Sequence, residues 1–161
     1  MFDIQLFGRL EVRTRGIRLV GTDFGGDRPR HLLALIALRG ELSTSELAGI
    51  LNTGKKDVET DMSVLRDKLE PGVSSHESVV VGHRGRWSLN PERVRVDVAR
   101  FDELMAAAAH RPADRAVKPL AAAGFVANRP LLEDEHEPWA AEARAEYRAK
   151  LMTTHPADAV H

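Results

Sequence analysis

The chain has no cysteine among its 161 residues, which excludes disulfide scaffolds, thiolate zinc sites, iron–sulfur clusters and cysteine nucleophiles. No apolar run approaches the roughly eighteen residues that a bilayer crossing needs. The opening Met1-Phe2-Asp3-Ile4 has no basic stretch leading into an apolar one, so neither a membrane span nor a signal peptide is expected and the expected compartment is the cytoplasm. Enzyme signatures are missing as well: there is no Gly-x-x-x-x-Gly-Lys phosphate loop, no Gly-x-Gly-x-x-Gly opening a helix after a strand, and no Gly-x-Ser-x-Gly elbow. No catalytic residue, cofactor or metal is expected. The densest acidic run, Glu133 to Glu137, lacks the spaced oxygen ligands and central glycine of a calcium loop and reads as a solvated loop between helices. Excess charge of either sign is also lacking. A net charge of -1 and an isoelectric point near 6.7 exert no global pull toward nucleic acid or anionic lipid, so such a partner has to be argued from local charge.

What is present is a globular composition, 43% hydrophobic and 29% charged, enough for one ordinary domain or two small ones. Charge is divided unevenly. The first 96 residues carry fifteen basic and thirteen acidic side chains, and the remainder eight and eleven. The shift falls near Asn90-Pro91-Glu92, which sets an expected division into segments 1–92 and 97–155.

Ile4 to Phe7, Leu10 to Val12 and Ile17 to Val20 are short apolar segments punctuated by Gly8, Gly16 and Gly21, the pattern of a small antiparallel sheet. After Gly25-Gly26 the period becomes helical. Asp27 is placed to cap a first helix carrying Leu32, Leu35, Ile36 and Leu38 and ending at Gly40. Ser43 and Glu46 have the Ser-x-x-Glu spacing of a capping box for a short second helix. Asn52-Thr53-Gly54 is a turn in which Gly54 is expected to take the positive φ. From Lys55, Val58, Met62, Leu65 and Leu69 recur at helical spacing until Pro71-Gly72. Val79 to Val81 and Trp87 to Leu89 flank the basic tip Gly82-His83-Arg84-Gly85-Arg86 as a hairpin. Beyond the junction, helices are expected around Val98 to Met105, from Ala113 toward Ala123 with Pro119 delaying or kinking it, and around Trp139 to Leu151; the last residues, 153–161, are expected to fray.

The order of strands, three helices and a basic hairpin is that of a winged helix-turn-helix, so the expected class is α+β: an N-terminal antiparallel sheet, a hairpin wing and a small all-α segment after them. An α-helix fits the major groove, and a hairpin tip with arginines reaches the adjacent minor groove or phosphates. At 100° per residue, the helix from Lys55 turns Lys56, Thr60, Ser63 and Asp67 outward, with Lys55, Glu59, Arg66 and Glu70 on its shoulders. The candidate DNA-binding residues are Lys55, Lys56, Thr60, Ser63, Arg66, Lys68, Arg84 and Arg86. Their plain alternative is a solvated mixed-charge surface. Arg28 and Arg30 read as solubility features, and Trp87 as packing beneath the hairpin.

The chain also resembles a family, the Streptomyces antibiotic regulatory protein (SARP) type of transcriptional activator. The resemblance is carried by "LFGRLEV" near the start, "LLALIALRG" within Arg28 to Gly40, Ser43 to Leu51, "MSVLRDKL" of Met62 to Leu69 and "GRWSLN" of Gly85 to Asn90. "VDVARFDELMAAA" from Val96 and "EPWAAEARAEYRAKL" from Glu137 are similar to parts of the bacterial transcriptional activator domain. It implies an OmpR-like winged helix-turn-helix at 1–92 and an activator-like helical segment at 97–155. It further implies double-stranded promoter DNA as partner, commonly bound by a homodimer at direct repeats, and activation through RNA polymerase. The chain departs from the family where Asp57, Asp61, Val64 and Asp67 replace basic or hydroxyl side chains and Asn52 replaces a tryptophan, and its activator segment ends early, as in a short member or a piece of a longer regulator. The three aspartates motivate a second expectation, a protein-interaction module on a winged-helix scaffold that has lost DNA.

Overall fold

The computed structural model describes residues 1–153; the stretch 154–161, including the end of the expected frayed terminus and of segment 97–155, lies outside them. The fold is α+β. Its elements are β1 (Phe2–Gln5), β2 (Glu11–Thr14), β3 (Ile17–Val20), α1 (Asp27–Arg39), β4 (Glu41–Ser43), α2 (Thr44–Leu51), α3 (Lys55–Leu69), β5 (Val80–His83), β6 (Arg86–Leu89), β7 (Val94–Val96), α4 (Asp97–Ala109), α5 (Ala113–Val126) and α6 (Pro138–Met152), with a 3₁₀ turn at Gly21–Phe24. One sheet has the order β3-β2-β1-β7 and the other β4-β6-β5. Two of these strands, β4 and β7, are three residues long, too short to show an alternating pattern in the sequence. No described helix is long and apolar enough to cross a membrane.

Two compact units emerge from the contacts. One comprises Met1–Ile4 and Glu11–Val94, the other Gln5–Leu10 and the chain from Arg95. The expectation put residues 5–10 with the first segment. Their grouping with the second has a plain cause: the Asp97 carboxylate accepts the backbone N–H of Leu6 and Phe7 at 2.9 and 3.0 Å, and Leu132 and Glu133 donate their N–H groups to Leu6 and Gly8. Sequence separations of some ninety residues hide such pairings from any local pattern.

In the first unit, α1, α2 and α3 pack together around a core that includes Phe24, Leu32, Leu33, Ile36, Leu47, Met62 and Leu65, each at most 1% exposed. Burying one such aliphatic side chain contributes on the order of 2 kcal/mol. Two local expectations need correction. Asp27 is not the cap of α1. Gly26 holds that position at φ 142, a conformation open to glycine, and Asp27 sits in the first turn paired with Arg30. In the turn before α3, the positive φ belongs to Asn52 (52°) and not to Gly54 (−87°). Asn52 closes α2 in the left-handed region, which Asn tolerates, and Gly54 then enters α3 with an extended backbone. The capping box at α2 is formed as its spacing predicts: Ser43 Oγ accepts from the Glu46 N–H at 3.0 Å, and the Glu46 carboxylate accepts from the Ser43 N–H at 2.9 Å.

In the second unit, α4 and α5 are neighbouring helices in contact, joined by a short loop, and Pro119 is buried inside α5 without ending it. Phe7, Phe101 and Tyr147 meet edge to face at 5.5 to 5.7 Å, and the Tyr147 hydroxyl donates to Asp102 at 3.0 Å. The acidic run 133–137 is less solvated than expected. Leu131 and Leu132 are buried beside it, Glu135 is 6% exposed, and the Arg144 guanidinium donates to the carbonyls of Leu131, Leu132 and Glu135.

Candidate nucleic-acid interface

The face of interest is built by α3 and the hairpin β5–β6. Along α3, Val58, Met62, Leu65 and Leu69 are buried, while Lys55, Lys56, Glu59, Thr60, Ser63, Asp67 and Lys68 are exposed. The outward stripe of Lys56, Thr60, Ser63 and Asp67 is therefore solvent-facing. Its one cation, Lys56, lies at the first turn with Lys55 on the shoulder beside it, and its acid, Asp67, lies farther along, with Glu59 on the shoulder. Ser63 donates its hydroxyl back to the Glu59 carbonyl at 3.3 Å, the usual local bond of a serine within a helix.

The first turn of α3 is held by a network that the sequence did not reveal. The Asp57 carboxylate accepts from the Thr53 hydroxyl at 2.7 Å and from the Gly54 N–H at 3.3 Å, closing the helix N-terminus. These two bonds, together with Arg28, hold its carboxyl below the usual range. Arg28, from the start of α1, donates to the Thr53 hydroxyl at 3.2 Å and pairs with Asp61 at 2.9 Å. Asp61 is 8% exposed, and burial raises its carboxyl while Arg28 pulls it back only in part. Arg28 is thus a bridge between α1 and α3, not the solubility feature its position suggests. Asp57 and Asp61, counted from the sequence as acids on the reading face, are respectively a helix cap and a buried counter-ion.

The hairpin turns over two residues, Arg84 and Gly85, at φ 51° and 74°, with His83 paired to Arg86 below them. Positive φ at both positions is the twist that suits a two-residue hairpin. The Gly85 carbonyl accepts from the N–H and hydroxyl of Thr44, and the same hydroxyl accepts from Trp87 Nε1 at 2.9 Å, so the start of α2 anchors the tip. At the other end, the Glu70 carboxylate accepts the Val79 N–H at 2.6 Å and pairs with Arg93, whose guanidinium it holds above the usual range.

The eight candidate residues now fall into groups. Lys55, Lys56, Thr60, Ser63, Lys68 and Arg84 are exposed. Lys68 lies toward the Gly25 side of α3, away from the outward stripe. Arg86 is exposed but pairs with Glu41 at 2.9 Å and lies 3.9 Å from Glu46. Arg66 is turned inward: its guanidinium gives two hydrogen bonds to the Val80 carbonyl, at 3.1 and 3.0 Å, and lies over the Trp87 ring at 5.1 Å. Burial pushes the Arg66 guanidinium below its ordinary value, though a guanidinium stays charged at neutral pH. The pairings of Arg28, Arg66 and Arg86 link residues fourteen to forty-five positions apart, and charge type alone was the only signal for them.

The solved structure of Mycobacterium tuberculosis EmbR in complex with a low-affinity phosphopeptide matches this fold with a TM-score of 0.76 and 20% sequence identity. The match covers 96% of this chain and 43% of that one, so the chain spans less than half of the EmbR length. The likeness establishes a shared winged-helix fold. No protein-family model matches the sequence, and no curated protein is significantly similar to it.

Proposed function

We propose that this protein is a DNA-binding transcriptional regulator, with α3 lying in the major groove and the hairpin β5–β6 acting as its wing. The observation that carries this reading is the exposed outer stripe of α3, on the same helix whose Arg66 binds the Val80 carbonyl of the hairpin that carries an exposed Arg84 at its tip. Lys56, Thr60 and Ser63 are of a size and chemistry to reach base edges and phosphates from a helix, and Lys55 and Arg84 add phosphate contacts. Lys68 has the charge to contribute from the flank, and Arg86 from the wing if its acidic partners yield to a phosphate. No step of bond chemistry is involved. The family resemblance supports promoter DNA as the target, RNA polymerase as the further partner and the cytoplasm as the place of work. It also supports a homodimer on direct repeats, with residues 1–92 as the DNA-binding part and the helical segment after Asp97 as the activator-like part.

A mobility-shift titration of the intact chain against duplex DNA over a range of salt tests the proposal. The expected result is binding at low salt that weakens steeply as salt rises. No binding to any promoter duplex at low salt, or binding indifferent to salt, overturns it.

The second reading, a winged-helix scaffold that docks protein in place of DNA, draws on the acids still exposed on α3, Asp67 on the outer stripe and Glu59 on its shoulder. Charge reversal is informative only there, because lysine at Asp57 or Asp61 breaks a cap or a buried pair. If Asp67→Lys creates DNA binding where the parent chain shows none, this second reading is the right one.

A further inference from the structure

Arg66 would be taken for a DNA contact from its charge and its place on the shoulder of α3, yet its geometry assigns it another task. Both of its hydrogen bonds are spent on one backbone carbonyl, that of Val80, the first residue of β5. The Arg66 Cζ lies over the ring of Trp87, 5.1 Å from the centroid, on the neighbouring strand β6. One side chain of the helix therefore grips both strands of the hairpin. Trp87 is itself set from three sides. Its Nε1 donates to Thr44, Arg66 lies over its ring, and Gly82 sits directly opposite it in the strand register. A Cβ on Gly82 would stand 2.6 Å from Trp87 Cζ3, inside any real contact, so the glycine is the space in which the indole lies.

We infer that Arg66 is a positioning residue that fixes the hairpin wing against α3, through the Val80 carbonyl and the Trp87 ring, and that it reads no DNA itself. The inference rests on the DNA-binding reading above for its consequence, but the grip on the hairpin is a property of the free protein. Lysine cannot replace the arginine here. A single ammonium has neither the planar fork that serves one carbonyl twice nor the flat face that stacks on an indole. Two different lesions should therefore loosen the same contact: Arg66→Lys from the helix side and Gly82→Ala from the strand side. Arg84→Ala, at the exposed tip, removes a proposed phosphate contact and leaves the grip alone.

The test has two arms, both on the full chain. In the first, without DNA, Trp139→Phe leaves Trp87 as the sole tryptophan, and its emission is read beside the amide exchange of residues 80–89. Arg66→Lys and Gly82→Ala are expected to shift the Trp87 emission and speed exchange across the hairpin about tenfold or more, with exchange in α1 unchanged. Arg84→Ala is expected to do neither. In the second, a fluorescent mixed-sequence duplex is titrated at several salt concentrations. Arg66→Lys and Gly82→Ala are expected to weaken binding while keeping the salt slope of the parent chain, whereas Arg84→Ala should reduce the slope by about 0.9, the value for one lost phosphate contact.

Unchanged Trp87 emission and hairpin exchange in both Arg66→Lys and Gly82→Ala would overturn the inference. So would an Arg66→Met variant, which removes the charge, if it lost salt slope to the extent that Arg84→Ala does. A parent chain that binds no duplex at any salt overturns the regulator proposal alone, and the first arm still decides whether Arg66 holds the wing.

Discussion

Arg28 and Asp61 form an unequal pair, and the inequality has consequences. The Arg28 side chain is 49% exposed and can return to water if its partner is lost, but the Asp61 side chain, 11% exposed, cannot. Arg28→Ala therefore strands a buried carboxylate and should cost about 1–3 kcal/mol in urea unfolding, whereas Asp61→Asn should cost under about 1 kcal/mol because a neutral amide carries a smaller desolvation penalty. Equal losses in the two variants would contradict this account. Glu11 presents the opposite sign. It is 4% exposed, and burial works to raise its carboxyl, but Arg18 and Arg13 beside it win and hold it below the usual range. A depressed carboxyl stabilises the fold in full above the ordinary glutamate value of about 4.5, and that contribution is lost as pH falls through it toward the lower folded value. Stability measured between about pH 6 and pH 3 should fall less steeply in Glu11→Gln than in the parent chain, with the two curves converging at the acid end. Curves that run parallel over this range would refute the assignment.

At the scale of the element, α2 is the clearest case of local instruction. Eight residues make a marginal helix, and the reciprocal bonds of Ser43 and Glu46 satisfy backbone donors at its N-terminus. Ser43→Ala should lower stability by about 1 kcal/mol, seen as a lower midpoint in thermal unfolding, and Ser43→Asp should restore most of it. The same logic explains what was legible in the sequence. Val58, Met62, Leu65 and Leu69 announce α3 because a four-residue stripe has one interpretation, and Ser43-x-x-Glu46 announces α2 because a cap is a local bond. β4 and β7 were not legible. A three-residue strand exists only because a partner strand lies alongside it, and for β4 that partner is β6, more than forty residues away. In the turn before α3 the sequence does not choose the residue at positive φ, because Asn52 and Gly54 both tolerate that region and only the closing of α2 selects Asn52.

For the whole molecule, the net charge of -1 conceals how few cations are free to meet a duplex. Among the proposed contacts, Lys55, Lys56, Lys68 and Arg84 are exposed and outside the pairings described above, while Arg66 grips the hairpin and Arg86 faces Glu41. If each of the four neutralises one phosphate, the logarithm of the binding constant should fall against the logarithm of salt with a slope of about −3.6 per chain. A slope of about −4.5 or steeper per chain, the value for five or more phosphates, would mean that Arg66, Arg86 or further cations enter the interface, contrary to this division.

The sequence by itself determined the elements whose cause is local: the apolar stripe of α3, the capping box of α2, the presence of a basic hairpin and the α+β winged-helix order, while the shortening of the expected tip 82–86 to the two-residue turn Arg84-Gly85 belongs to the structure. The sequence also excluded disulfides and thiolate chemistry within these residues, because there is no cysteine to supply them. Only the tertiary structure decided which charged side chains belong to the surface and which to the frame. Arg28, Asp61, Arg66 and Arg86 have the same composition as a solvated helix face and hairpin tip, and nothing in their neighbours separates one role from the other. The roles diverge because a charge is either solvated or paired according to what the fold brings beside it, and those partners come from residues too distant along the chain to leave a pattern.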